Sequence, residues 1–374
     1  NSLLGRSNPT LLPSSSSTNQ LFETFNSLFI SKIANIRQDL NHLENTISPL
    51  SCPPVSQLLL PCHTDFTSFP LTSEEEVCKI VKNSSKTFCT LDPFPTKLIV
   101  ELLPELGPAI TKIINLALSS GQFPPQLKSD LVKPLIKKPS LDCELLKNYR
   151  PVSNLSFLSK LIEKVIATRL FTHMKDNNLL EKMQSAYKPG HSCKTALLRI
   201  QNDLLQAIDK GKGCLLVLLD LSAAFDTVDH HLLLQLLESH LHVKGSALQL
   251  LRSYLTGRTQ CVSISGIQSE LVELLYGVPQ GSVLGPIKFC IYTLPLGAIL
   301  RFHDIEYHVY ADDTQLYLAF DLHNDPDPSL SKLCSAIADV RSWMISNKLK
   351  INDDKTEFVI LSSRHHNQPS NLQL

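Results

Sequence analysis

Nowhere in this chain of 374 residues do two of the ten cysteines stand in a Cys-x-x-Cys pair. Their scatter provides neither zinc-type spacing nor a disulfide framework, so reduced thiols and no zinc are expected. No uninterrupted apolar run reaches the ~18 residues of a membrane-crossing helix, and no basic-then-apolar signal opens the chain, so no membrane partner is expected. Lysine plus arginine and aspartate plus glutamate balance at 35 each. The broad cationic surplus on which nucleic-acid backbone binding draws is therefore missing. Hydrophobic residues make up 43% of the chain, which excludes general disorder and supplies one large core or two smaller ones. The first residue is Asn1 rather than Met, the start expected of a piece of a longer reading frame.

What charge there is lies unevenly. Between Gln122 and Arg150, six cations (Lys128, Lys133, Lys137, Lys138, Lys147 and Arg150) outnumber Asp130, Asp142 and Glu144. Ahead of this stretch, the serines from Ser14 to Ser17 mark a disordered lead-in. Phe22, Phe25, Phe29, Ile33 and Ile36 then recur at helical steps, and Pro49, Pro53, Pro54 and Pro61 make a linker. Thr72-Ser-Glu-Glu-Glu76 starts a helix that Leu91-Asp-Pro-Phe-Pro95 would end, and two further helical segments stop at Gly121. A strand from Leu131 to Ile136 carries Lys137 and Lys138 at its end, with Arg150 after a loop. Over a nucleotide, Arg150 would grip triphosphate oxygens as a fork and Lys138 as a point charge; a solvated basic face is the competing reading. From Phe157 to Met174 a helix turns Leu161, Ile162, Val165 and Ile166 inward and Lys160, Lys164 and Arg169 outward.

The carboxylates carry the chemistry. Tyr307, Val309 and Ala311 alternate, and the run from Thr314 to Phe320 is again rich in β-formers, so a hairpin should carry Asp312 and Asp313 at its tip. Adjacent ionised carboxylates repel unless a cation keeps both charged, and a divalent metal is the simplest remedy. The apolar run from Cys214 to Leu219 suits a central strand and ends in Asp220, a third oxygen donor. Three carboxylates so placed suit a pair of divalent ions and in-line phosphoryl transfer.

Leu219-Asp220-Leu-Ser-Ala-Ala-Phe225-Asp226, Gly277-Val-Pro-Gln-Gly281-Ser-Val-Leu-Gly-Pro286 and Tyr310-Ala-Asp-Asp313 resemble, in order and spacing, the three palm motifs of reverse transcriptases. Asn148-Tyr-Arg-Pro-Val-Ser153 and Asn352-Asp-Asp-Lys-Thr-Glu357 are similar to the polymerases of non-LTR retrotransposons (LINE elements) of the jockey, CR1 and L2 type. The resemblance spans roughly residues 20 to 364. It implies an α+β right-hand polymerase, fingers and palm, with an antiparallel palm sheet backed by helices. Residues 1–70 would be lead-in, helix and linker, 71–213 the fingers, 214–364 the palm and 365–374 a polar tail, without endonuclease or most of the thumb. Asp220, Asp312 and Asp313 would be catalytic and, with Leu221, would hold two Mg²⁺, with Mn²⁺ as the alternative ion. Lys138, Arg150, Phe225, Gln280, Gly281 and Lys355 would meet the nucleotide, and Lys188, Pro189 and Gly190 the template. Phe225 would occupy the space of a ribose 2′-hydroxyl, and Lys355 would steady the leaving pyrophosphate. The implied partners are an RNA template, a DNA primer and dNTPs, in nucleus or cytoplasm.

Lys288 departs from the family's apolar habit, and a charge on a mostly buried face costs stability unless it snorkels. It favours a second reading, a decayed copy that folds without activity. A domesticated RNA-binding module and a metal phosphohydrolase are the other competitors; the last leaves Phe225 and the Gly277 to Gly281 loop without a role. Later elements are read as a helix capped by Ser282 and running to about Leu294, another through Leu333 and Val340, and a hairpin pairing Leu349 to Ile351 with Glu357 to Leu361.

Overall fold

The computed structural model describes residues 12–14, 18–47, 49–85, 89–321 and 327–362; most of the expected lead-in and all of the 365–374 tail lie outside them. By contact the chain divides into two compact units, each assembled from three separated stretches. One comprises Asn1–Asn35, Ser68–Ala167 and Ser246–Gly285, the other Ile36–Thr67, Thr168–Gly245 and Pro286–Leu374.

The first unit contains a mixed sheet. Ser129–Ile136 lies antiparallel to Tyr149–Asn154 and parallel to Thr259–Ile264, with two short strands beyond. Leu21, Phe25 and Phe29, spaced at one helical turn in Thr18–Glu44, pack on Val132, Tyr149, Val262 and Ile264. Phe25 meets Phe29 at 5.7 Å and Tyr149 edge-on at 5.0 Å, and burial of each such ring stabilises by roughly 1.5–3 kcal/mol. The sheet also encloses an ion pair between fully buried Arg258 and Asp130. Burial pushes the Asp130 carboxyl up, against the pull of the Arg258 guanidinium.

Arg150 follows the expected loop and sits within a strand, opposite Leu135. One reading is corrected here. The helix begun at Glu74, capped by Ser73 through the Glu76 amide, ends at Lys82 because Asn83, Ser84 and Ser85 favour turns over helix.

In the second unit a four-stranded sheet is antiparallel throughout, in the order Glu306–Tyr310, Asp313–Asp321, Lys212–Leu219, Glu357–Leu361. Lys212–Leu219 is central, as its unbroken apolar run requires. The helix Cys193–Asp209 opens with a capping box between Ser192 and Thr195 and lays Ile200 and Leu204 over Cys214 and Tyr317. Asp327–Ser346 buries Leu333, Ala336, Val340 and Met344 and packs on Leu294–Phe302. Among the described residues, no helix is long and apolar enough to cross a membrane.

Ser282 caps the helix Leu284–Tyr292 by accepting from the Gly285 amide at 2.9 Å, as expected, and Leu294–Phe302 follows as a separate helix, Pro295 having no N–H to continue the first. One expectation fails in this unit. Glu357–Leu361 pairs with Lys212–Leu219, not with the segment from Leu349 to Ile351; Ile351 instead bridges Leu221. Lys288 is fully buried and does not snorkel.

Candidate active site

The register Leu219↔Thr314 carries one step further to set Asp220 beside Asp313. Tyr310↔Asp313 closes the neighbouring hairpin, leaving Ala311 and Asp312 as its turn. Ala311 has φ 60°, a left-handed conformation that an alanine holds only when its surroundings insist. Gln184, itself buried, supplies the constraint. Its side-chain oxygen accepts from the Ala311 amide at 3.0 Å and from the Ala186 amide at 2.8 Å. Main-chain bonds from Ser185 to Val309 and from Val309 to Met183 fasten the same loop along the hairpin. Lys188, Pro189 and Gly190 follow in that loop, with Pro189 and Gly190 exposed and Lys188 half-buried.

Asp220 is held from the other side of its strand. Asn352 Nδ2 donates to Asp220 Oδ2 at 2.9 Å, Lys355 Nζ reaches the same oxygen at 3.3 Å, and the Asn352 amide donates to the Asp220 carbonyl at 2.9 Å. Leu221 is buried against Ile351. Burial raises the Asp312 carboxyl above its ordinary range, and the charges of Asp313 and Asp220 raise it further, against a smaller pull from Lys355. Burial and then Asp220 raise Asp313 in the same way.

Among the described residues, no three carboxylate, imidazole or thiol groups form a ready-made metal cage. The donor chemistry nevertheless suits a divalent ion: three hard oxygen donors crowd together, repel one another and face one ammonium. Phe225, half-buried, stacks on fully buried Phe289 with ring centroids 4.6 Å apart and planes inclined by 23°.

The remaining predicted residues lie in the first unit. Arg150 is exposed on its strand, and Lys138 is exposed just past the paired one. The Ser153 amide donates to the Gln280 carbonyl at 2.8 Å, so the glycine loop is strapped to the strand that bears Arg150. Gly281, at φ 126°, lies so close that a Cβ would stand 2.3 Å from the Ser153 carbonyl oxygen. Fully buried Glu163 accepts from the Val283 and Leu284 amides at 2.6 and 3.1 Å and fixes the far end of the loop. Lys160 and Lys164, expected outside, donate to Asn154 and Ser84 at 3.3 and 2.7 Å.

The sequence reading missed Gln184 and Glu163. The first sat in a loop that looked merely polar; the second stands among the apolar positions of its helix, where an acid without a visible partner is the one available signal. Asn352 was legible as part of a motif but not as the partner of Asp220.

Residues 136–371 match the model of the reverse transcriptase (RNA-dependent DNA polymerase) family, and the chain belongs to that family. Proteins similar to it include RNA-directed DNA polymerases from transposons and mobile elements. It is 32% identical over 249 residues to the probable RNA-directed DNA polymerase from transposon BS of Drosophila melanogaster, covering 65% of this chain and 27% of that protein. To the RNA-directed DNA polymerase from mobile element jockey of Drosophila funebris it is 27% identical over 329 residues, 84% of this chain and 35% of that one. The probable RNA-directed DNA polymerase from transposon X-element of Drosophila melanogaster is 28% identical over 263 residues, 70% of this chain and 28% of that protein. The chain thus spans about a quarter to a third of the length of these curated relatives.

Proposed function

We propose that this chain carries the polymerase centre of a LINE-type element and joins dNTPs to a primer 3′-hydroxyl on an RNA template. The observation that carries the reading is the register that sets Asp220 next to Asp312 and Asp313, with Asn352 and Lys355 on Asp220. In this reading the four-stranded antiparallel sheet belongs to the palm, residues 214–364, and 71–213 form the fingers.

Two Mg²⁺, when bound, would lower the pKa of the attacking hydroxyl and neutralise charge on the leaving pyrophosphate. Asp220, Asp312, Asp313 and the Leu221 carbonyl would hold them. Asn352 fixes the rotation of the Asp220 carboxylate while engaging one of its two oxygens. Lys355 steadies the pyrophosphate, while Arg150 and Lys138 take triphosphate oxygens. Gln280 and Gly281 meet the nascent pair, Phe225 meets the sugar, and the loop from Lys188 to Gly190 follows the template.

The test is primer extension on poly-rA with oligo-dT in Mg²⁺. Incorporation should fall by roughly a hundredfold or more in an Asp312→Ala, Asp313→Ala double variant. Equal incorporation by both proteins would refute the assignment. Salt-sensitive RNA binding with no Mg²⁺-dependent incorporation would select the RNA-binding module instead.

A further inference from the structure

We infer that Phe289 is a positioning residue for sugar selectivity, the backing that keeps the Phe225 ring in place against a ribose 2′-hydroxyl. This rests on the reading of Phe225 as the sugar-facing ring. A ring excludes a hydroxyl only to the extent that moving the ring is unfavourable, and an unsupported phenylalanine at a strand exit turns to another staggered rotamer at little expense. Phe225 is not unsupported. One face is covered at 4.6 Å by Phe289, which is fully buried and so cannot retreat. Rotation of Phe225 would lose the stack and open a void in close-packed surroundings.

The backbone beneath the ring is pinned as well. The Asp226 and Thr227 amides both donate to the Ala223 carbonyl, at 2.9 and 3.1 Å. Arg37 donates to the Thr227 carbonyl at 3.2 Å and to Asp229 at 2.5 Å. Tyr292, one turn beyond Phe289 on the same helix face, accepts from the Asp229 amide at 3.3 Å and donates to the Asn347 carbonyl at 2.6 Å. The helix Leu284–Tyr292 therefore grips the Phe225 to Asp229 segment at both ends. No step of nucleotidyl transfer needs Phe289. Its effect should appear in the choice between sugars.

The experiment measures kcat/KM for dGTP and GTP with the full chain on poly-rC primed with oligo-dG, so that the two substrates differ in the sugar alone. Phe225→Val should lower the dGTP:GTP ratio by roughly tenfold or more. Phe289→Leu, which stays apolar but removes the flat face, should lower it by about two- to twelvefold, the factor corresponding to an aromatic stack. The change should come from a rise in the GTP value. In the Phe225→Val background, Phe289→Leu should add nothing, because it acts through the ring already removed. Phe289→Met is the second variant, and Tm is followed for each; whichever folds decides. A lowered Tm with an unchanged ratio, or a full additional effect in the Phe225→Val background, would overturn the inference. If Phe225→Val itself leaves the ratio unchanged, or the wild type incorporates nothing, the reading on which it rests falls first.

Discussion

Asp312 is placed where burial and two like charges oppose its ionisation, and that arrangement opposes folding while it favours cation binding. Both Asp312 and Asp313 have folded-state pKa values raised above the ordinary 3.8, so their contribution to stability falls as pH rises through and above that value. Asp312→Asn should therefore stabilise the metal-free protein at pH 7 by up to about 1 kcal/mol while removing incorporation. Urea melts in EDTA would measure the first effect; a loss of stability would show that the carboxylates are not in conflict. Gly281→Ala has the opposite sign. At φ 126° its new Cβ meets main-chain oxygen at 2.3 Å, and a loss of more than about 2 kcal/mol is expected in the same melts.

Among the elements, the hairpin turn depends on a side chain far from it in sequence. Gln184→Ala would leave the buried Ala311 amide without its acceptor, and a loss of about 1–3 kcal/mol is expected, together with weaker incorporation. A variant as active and as stable as the wild type would mean that the turn holds itself. This element also shows what was legible in the sequence. Alternation and the paired aspartates marked the hairpin because both are local signals, and the apolar run to Leu219 marked the central strand. Register was not legible. Nothing in Glu357 to Leu361 says that it seeks Lys212–Leu219 rather than the nearby segment at Leu349, since both pairings satisfy the same alternation. Buried acids such as Glu163 were hidden for a related reason: what satisfies them is main-chain N–H, present at every residue and so invisible in composition.

At the scale of the molecule, Asp339 sets part of the acid limit. Burial pushes its carboxyl up, but hydrogen bonds from the Ser51 hydroxyl and amide, His303 and the Cys52 amide outweigh that and hold it below 3.8. A depressed carboxylate adds stability above its unfolded value, and that stability is lost as pH falls through the folded one. Unfolding below about pH 4 should thus be less steep in Asp339→Asn, as circular dichroism against pH would reveal. Magnesium should raise Tm in the wild type and not in the Asp312→Ala, Asp313→Ala variant, since an ion bound only by the folded state stabilises by mass action. An equal rise in both would exclude these carboxylates as its ligands.

The central strand has a further consequence during synthesis. Its apolar stretch from Cys214 to Leu219 leaves the ribosome long before either flanking strand, the nearer beginning at Asp313 and the farther ending at Leu361. At 5–20 residues per second the farther strand is complete roughly 7–30 s later, and until then at least one edge of a sticky β-forming segment waits unpaired. Slowed translation between these points, or the absence of chaperones that shield nascent chains, should show up first as insoluble protein.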